Sequence, residues 1–345
     1  MKYASNAVLA LSRAFYGKRL TNEDYNAMLH CRTVGEIAQY LRLKTPYGEE
    51  IAQSGMTSFQ ARGLEELVSK HRFASFESLC RYEMAIGSAF YRYFILRDEI
   101  DQIERATLLL LGGNKEIYLE RVNSFLDKHL SIDLFALGRA NSLEEIAVSL
   151  QKTAYGVLYD ACLRAPKVDY LTFEQAFEAF FSKQIKALCK QCFSGGERQA
   201  LLELIARTQD RLVMERVWRA KRFYPASADL CADLAKPDSD LLTLFSDRER
   251  KALSAASSVE EVKALLQKSA YRRWFDPKSE KSIEFQLEQS LFRHCEKQIR
   301  FSSYPSVVMF CYLQLSRIET NNLVRIIEGV KFGVAPQVIE QNLII

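Results

Sequence analysis

Ser142-Leu143-Glu144-Glu145-Ile146, followed by Leu150-Gln151-Lys152-Thr153-Ala154-Tyr155, is a stretch that the chain uses three times. It aligns with Thr33-Val34-Gly35-Glu36-Ile37…Leu41…Lys44-Thr45-Pro46-Tyr47. It aligns again with Ser258-Val259-Glu260-Glu261-Val262…Leu266-Gln267-Lys268-Ser269-Ala270-Tyr271. The first copy carries one extra residue before its lysine. Each copy predicts one short helix. Thr or Ser followed three residues later by Glu is a capping box, in which cap and glutamate satisfy each other's backbone amides. Leu and Ile at helical spacing give the helix one apolar face. The lysine falls in the last turn, where a cation complements the helix dipole. The tyrosine then leaves the helix with a ring to bury and a hydroxyl to bond.

Twelve residues upstream of the first and third copies, Thr21…Asp24 and Ser246…Glu249 predict a further capped helix. In the second copy Ser131 or Asp133 would start it. Each unit therefore opens with a helix–turn–helix pair. A second signature closes each unit: Glu99-Ile100-Asp101-Gln102-Ile103-Glu104-Arg105, Asp210-Arg211-Leu212-Val213-Met214-Glu215-Arg216 and Glu319-Thr320-Asn321-Asn322-Leu323-Val324-Arg325. Each holds an acid, an apolar residue four later and an arginine six later. The acids are 111 and 109 residues apart, and the Glu36, Glu145 and Glu261 positions are 109 and 116 apart. Two signatures with one period indicate a tandem triplication. Acid and arginine lie about 120° apart around a helix, so they are not a catalytic pair by spacing.

Between the signatures lie long amphipathic stretches, Phe59–Lys70, Ser75–Leu111, Thr172–Cys192, Glu197–Phe223, Ile283–Ile299 and Ser306–Val330. With only 14 Gly and 7 Pro in 345 residues, the turns that hairpins need are missing. The expected class is all-α. Gly112-Gly113-Asn114 and Tyr224-Pro225 read as helix stops. They divide the chain into three similar lobes, 1–113, 114–224 and 225–345.

The chain is 48% hydrophobic, enough for a sizeable core, and its net charge of +4 gives no nucleic-acid footprint. The basic cluster Arg216, Arg219, Lys221 and Arg222 around Trp218 reads as a solvated helix face or as a docking surface for an acidic partner. Eight scattered cysteines, Cys189 and Cys192 in a lone CxxC among them, read as reduced thiols without a zinc set. No stretch reaches the roughly 20 apolar residues of a membrane span. There is no Walker A sequence, no GxGxxG, no GxSxG and no HExxH. Asp98…Asp101 with Glu99 resembles half of the aspartate pair in all-α prenyl-transfer enzymes, and no second half exists. The expectation is no catalytic residue, no cofactor and no metal site.

The triplicated unit resembles the C (d, or AC39-type) subunit family of rotary V/A-type ATPases. So does the opening Tyr3-Ala4-Ser5-Asn6-Ala7…Leu11-Ser12-Arg13-Ala14-Phe15-Tyr16…Leu20-Thr21-Asn22-Glu23-Asp24-Tyr25…Met28-Leu29. The likeness covers essentially the whole chain. One departure stands out: the family's asparagine in the acid-x₂-Asn signature is matched by Asn322, whereas Gln102 and Val213 hold the equivalent places. The resemblance implies a funnel of three helical lobes around a pseudo-threefold axis. One copy per complex would sit on the cytoplasmic face of the membrane, between the D- and F-type subunits of the central stalk and the proteolipid ring. It would carry torque and bind no small-molecule substrate. Tyr47, Tyr155 and Tyr271, with Arg105, Arg216 and Arg325, are the candidate partner contacts, because Tyr and Arg are favoured interface anchors. A generic α-helical scaffold for a protein partner is the alternative, although a period near 110 residues is too long for tetratricopeptide or HEAT arrays.

Overall fold

The capping signals start helices where the sequence places them. In a computed structural model, which describes residues 2–55, 58–82, 84–223, 228–235, 241–273 and 275–345, no strand occurs among the described residues. α1 (Lys2–Gly17) leads to the pair α2 (Asn22–Leu29) and α3 (Val34–Lys44), then α4 (Gly48–Gln53), α5 (Ala61–Tyr82) and α6 (Met84–Leu111). The second round is α7 (Glu116–Arg121), the pair α8 (Leu134–Arg139) and α9 (Leu143–Leu150), α10 (Gly156–Leu163), α11 (Tyr170–Cys192) and α12 (Gly195–Phe223). The third is a 3-10 segment (Ala228–Ala235), the pair α13 (Asp247–Ala255) and α14 (Val259–Leu266), α15 (Ile283–Phe301), α16 (Pro305–Lys331) and α17 (Pro336–Glu340).

Thr33, Ser142 and Ser258 are the N-caps of α3, α9 and α14, and each side chain accepts from the amide three residues on, at Glu36, Glu145 and Glu261. The reciprocal bond differs from the expected box. Each glutamate reaches one residue past the cap, accepting from the Arg32, Asn141 and Ser257 amides at 2.8, 2.8 and 2.7 Å. The full reciprocal box forms instead at Thr21–Asp24 and Ser246–Glu249. In the second round Asp133, not Ser131, caps α8. The stop after α6 falls at Gly112-Gly113; Tyr224–Pro225 lies outside the described residues.

The chain forms two compact units. One comprises Met1–Ser88, Gln199–Leu204 and Trp274–Ile345; the other comprises Ala89–Arg198 and Ile205–Arg273. In the first, α16 is the central helix and packs on α1, α5 and α15. Its run Ser306–Tyr312 is buried on every side, as a helix enclosed by others must be. Further along, Leu323, Ile326 and Ile327 share one apolar cluster with Met28, Ile37, Leu41 and Leu64. In the second unit the core is aromatic: Tyr159 lies 4.7 Å from Phe173 and Tyr155 stacks 6.1 Å from Phe177. Burying each such ring contributes on the order of 2–3 kcal/mol.

Candidate functional site

The repeat tyrosine and the repeat acid meet. Three times over, an acid from a long helix accepts a hydrogen bond from the tyrosine that follows a short capped helix. It also accepts one from the backbone just ahead of a helix pair. In the first unit, Tyr47 Oη donates to Glu319 Oε1 at 2.6 Å and the Leu20 amide donates to Oε2 at 2.9 Å. In the second, Tyr155 Oη donates to Glu99 Oε2 at 2.5 Å, and the Ser131 amide donates to Oε1. There too, Tyr271 Oη donates to Asp210 Oδ2 at 2.7 Å, the Leu244 amide donates to the same oxygen at 3.0 Å, and the Thr243 hydroxyl donates to Oδ1. A buried carboxylate without donors would cost several kcal/mol, so each latch ties a helix pair to one long helix.

The pairing steps along the chain. Glu99 lies in the first sequence segment and bonds the tyrosine of the second; Asp210 of the second bonds that of the third. Glu319 of the third closes the series on Tyr47, 272 residues away. The tyrosine loops are built to bring this about. In each, a Thr or Ser two residues before the tyrosine accepts its backbone amide: Thr45 at 3.4 Å, Thr153 and Ser269 at 3.1 Å. Gly48 and Gly156 follow the first two tyrosines, and a Cβ there would lie 2.4 Å from the Arg42 carbonyl oxygen and 2.8 Å from that of Leu150. Only glycine lets the next helix begin so close to the end of the last. Arg272 holds the third position, and there the chain turns without starting a helix.

Burial shapes the electrostatics. It pushes the Tyr47 and Tyr155 hydroxyls well above their usual range, with the neighbouring carboxylates adding to the effect. Burial raises the Asp210 carboxyl to about 6, against the pull of its bonds from Thr243, Leu244 and Tyr271. Burial raises Glu319 as well, opposed by Tyr47 and Leu20 and, at longer range, by His71 and Arg19. Each acid thus ties two distant parts of the chain together.

The six candidate contact residues are placed as follows. Tyr47, Tyr155 and Tyr271 are 3, 2 and 2% exposed, so their rings lie inside the chain and not on its surface. Arg216 bridges Asp233 at 2.7 Å and Glu174 at 3.7 Å. Arg325 bridges Glu288 at 3.6 Å and donates to the Asn342 carbonyl at 3.1 Å. Arg105 is exposed. Next to Arg325, Asn322 is fully buried: its Nδ2 donates to the Ile344 carbonyl at 2.7 Å and its Oδ1 accepts from the Ile344 amide at 3.1 Å. The basic cluster divides: Arg216 and Lys221 turn inward, while Arg219 and Arg222 stay on an exposed helix face. Besides Arg216, Lys221 donates to the Ser254 carbonyl at 2.9 Å, Arg219 pairs with Glu215, and Arg222 lies over the Trp218 ring at 4.9 Å. Asp101 is engaged by Arg97, which also holds Glu178 at 2.7 Å and Glu104 at 3.5 Å. Cys189 is buried and Cys192 exposed.

The sequence profile of the ATP synthase (C/AC39) subunit family matches residues 8–342, nearly the whole chain and all three latches. The chain belongs to that family. No curated protein sequence matches it. As a member of the C/AC39 family it is a subunit of a V/A-type ATPase, and among the described residues no helix is long and apolar enough to cross a membrane. The sequence carries both signatures of the latch but not the bond between them. The shared period of acid and tyrosine was the available signal.

Proposed function

We propose that this chain is the non-catalytic adapter of the central stalk, one copy per complex on the cytoplasmic face. It joins the D- and F-type stalk subunits to the proteolipid ring and carries torque between them. The single observation that supports this is the recurrence of the acid–tyrosine latch in all three repeats of a C/AC39 family member, closing from Glu319 back onto Tyr47. A part that passes torque must resist shear between its elements. Latches formed by buried charge-assisted bonds between elements far apart in sequence do this, because their geometry has little slack. The three-lobed body is part of the same proposal. Its lobes are 1–113, 114–224 and 225–345, and each latch ties the long helix of one to the tyrosine loop of the next. Arg105 is the exposed member of its set of three and the first candidate for a partner contact.

The test is transport. Membranes whose ATPase lacks this chain should lose ATP-driven ion transport, while the detached head and stalk still hydrolyse ATP. Full transport without the chain would overturn the reading. Arg105→Glu should weaken assembly and leave the melting temperature unchanged; unaltered assembly would remove Arg105 from the interface.

A further inference from the structure

The latch of the first unit differs from the other two in what surrounds it. Glu319 and Tyr47 line a cavity of about 970 Å³, the size of a small-ligand site, and all its lining residues belong to Met1–Ser88 and Trp274–Ile345. Aromatic rings make up much of the wall, among them Phe15, Tyr16, Tyr25, Phe292 and Tyr312. Charges of both signs surround it. Lys18 and Arg293 are exposed and are balanced by exposed Glu23 and Glu49. Arg19 and Arg300 share Glu296 at 3.3 and 3.6 Å, and the His71 ring contacts Glu50 at 2.8 Å. Glu319 takes its hydrogen bonds from neutral groups, the Tyr47 hydroxyl and the Leu20 amide, and meets His71 and Arg19 only at longer range. Burial raises its pKa against the combined pull of Tyr47, Leu20, His71 and Arg19, so its charge is only partly compensated.

The same cavity already shows how it treats a cation. The Arg19 guanidinium lies 4.2 Å from the centre of the Tyr16 ring while pairing with Glu296, and the Tyr16 hydroxyl donates to that carboxylate at 2.7 Å. Ring face plus carboxylate is a favourable setting for a guanidinium or ammonium. Glu319 beside the rings of Tyr25, Tyr47 and Tyr312 offers a second setting of the same kind, without an arginine in it.

We propose that this cavity receives a basic side chain, an arginine or lysine presented by a partner chain, which docks against Glu319 among the tyrosine rings. The identity of the presenting chain rests on the adapter reading; the binding itself does not. A sealed acid such as Asp210, wholly inaccessible to solvent, offers no equivalent entrance.

The probe is an acetylated, amidated Leu-Arg-Leu tripeptide, with a citrulline peptide of the same shape as the neutral control, titrated calorimetrically into the full chain. The arginine peptide should bind and the citrulline peptide should bind at least about tenfold more weakly, the scale of a charge-assisted bond in a partly desolvated site. Affinity should rise with pH as Glu319 loses its proton. Glu319→Gln should lower affinity to the citrulline level. Should that variant fail to fold by circular dichroism, Ser316→Phe, which fills the cavity from α16, is read in its place and should abolish binding. Equal binding of both peptides, no binding at millimolar peptide, or unchanged affinity in a folded variant overturns the proposal. Peptide binding with transport that does not need the chain would sink the adapter reading alone. Transport that needs the chain, without peptide binding, would sink this inference alone.

Discussion

The Asp210 latch and the Glu319 latch are copies of one device in two settings. Asp210 is fully buried and accepts three bonds, from Thr243, Leu244 and Tyr271. Glu319 accepts two and opens onto a cavity. A repeat can therefore keep its covalent pattern while its energetics diverge. In the sealed copy, losing the acid leaves the buried Tyr271 hydroxyl without its acceptor, along with the half-buried Thr243 hydroxyl and Leu244 amide. In the open copy water can take the place of a lost partner. Glu99 resembles the sealed copy in burial, at 4% exposed, and the open copy in accepting two bonds.

The largest expected effect comes from cutting the chain between repeats. A fragment of residues 1–113 keeps Tyr47 but loses Glu319. It also loses Leu323, Ile326 and Ile327 from the cluster around Leu41 and Leu64. It should show little stable helix by circular dichroism, whereas the same fragment joined to residues 283–345 should fold cooperatively. A stable isolated 1–113 would mean that the latch and α16 are dispensable.

Next comes the comparison itself. Asp210→Ala should cost about 3–4 kcal/mol in urea unfolding, because it strands the buried Tyr271 hydroxyl and frees the half-buried Thr243 and Leu244 donors, and Glu319→Ala about 1–2 kcal/mol, because the cavity admits water. Equal costs would show that the cavity does not relieve the open copy.

Acid pH should bear on both copies with one sign. Asp210 holds its proton more tightly in the fold, at about 6 against the usual 3.8. Its contribution to stability is therefore complete below about pH 4 and is lost as pH rises through about 6. Across that window the wild type should lose up to about 3 kcal/mol relative to Asp210→Asn. The Glu319 shift has the same sign, so Glu319→Gln should flatten the profile in the same direction. A profile of Asp210→Asn that parallels the wild type would show that this carboxyl titrates normally.

The smallest effects concern the local caps, where the copies should not differ. Ser142→Ala and Ser258→Ala should each cost about 1 kcal/mol in melting experiments. A marked inequality would mean that the tertiary setting reaches even these bonds.

Much of the fold was legible because its signals are local. A cap and the amide three residues on are neighbours in any helix, so Thr33, Ser142 and Ser258 announce α3, α9 and α14 whatever surrounds them. Scarcity of Gly and Pro sets the helical class in the same way. The reach of Glu36, Glu145 and Glu261 past the cap was not legible. It depends on side-chain length and on the backbone angle entering the helix, and the residue pattern is identical for both bonds. The six candidate contacts show the same boundary. Sequence marked Tyr47, Tyr155 and Tyr271 as a recurring set, but a ring that anchors a partner and a ring that bonds an internal acid leave the same trace in one sequence.

By itself, then, the sequence determined the helical class, the two signatures that each recur three times, the capped starts and the family. The tertiary structure alone decided that each acid bonds the tyrosine of the next segment, that the last returns to the first, and that one of the three opens onto a cavity. The physical reason is range. Caps and periodicity act within one or two turns of helix. A bond between Glu319 and Tyr47 spans 272 residues and exists only after packing of α16 has paid for bringing both ends together.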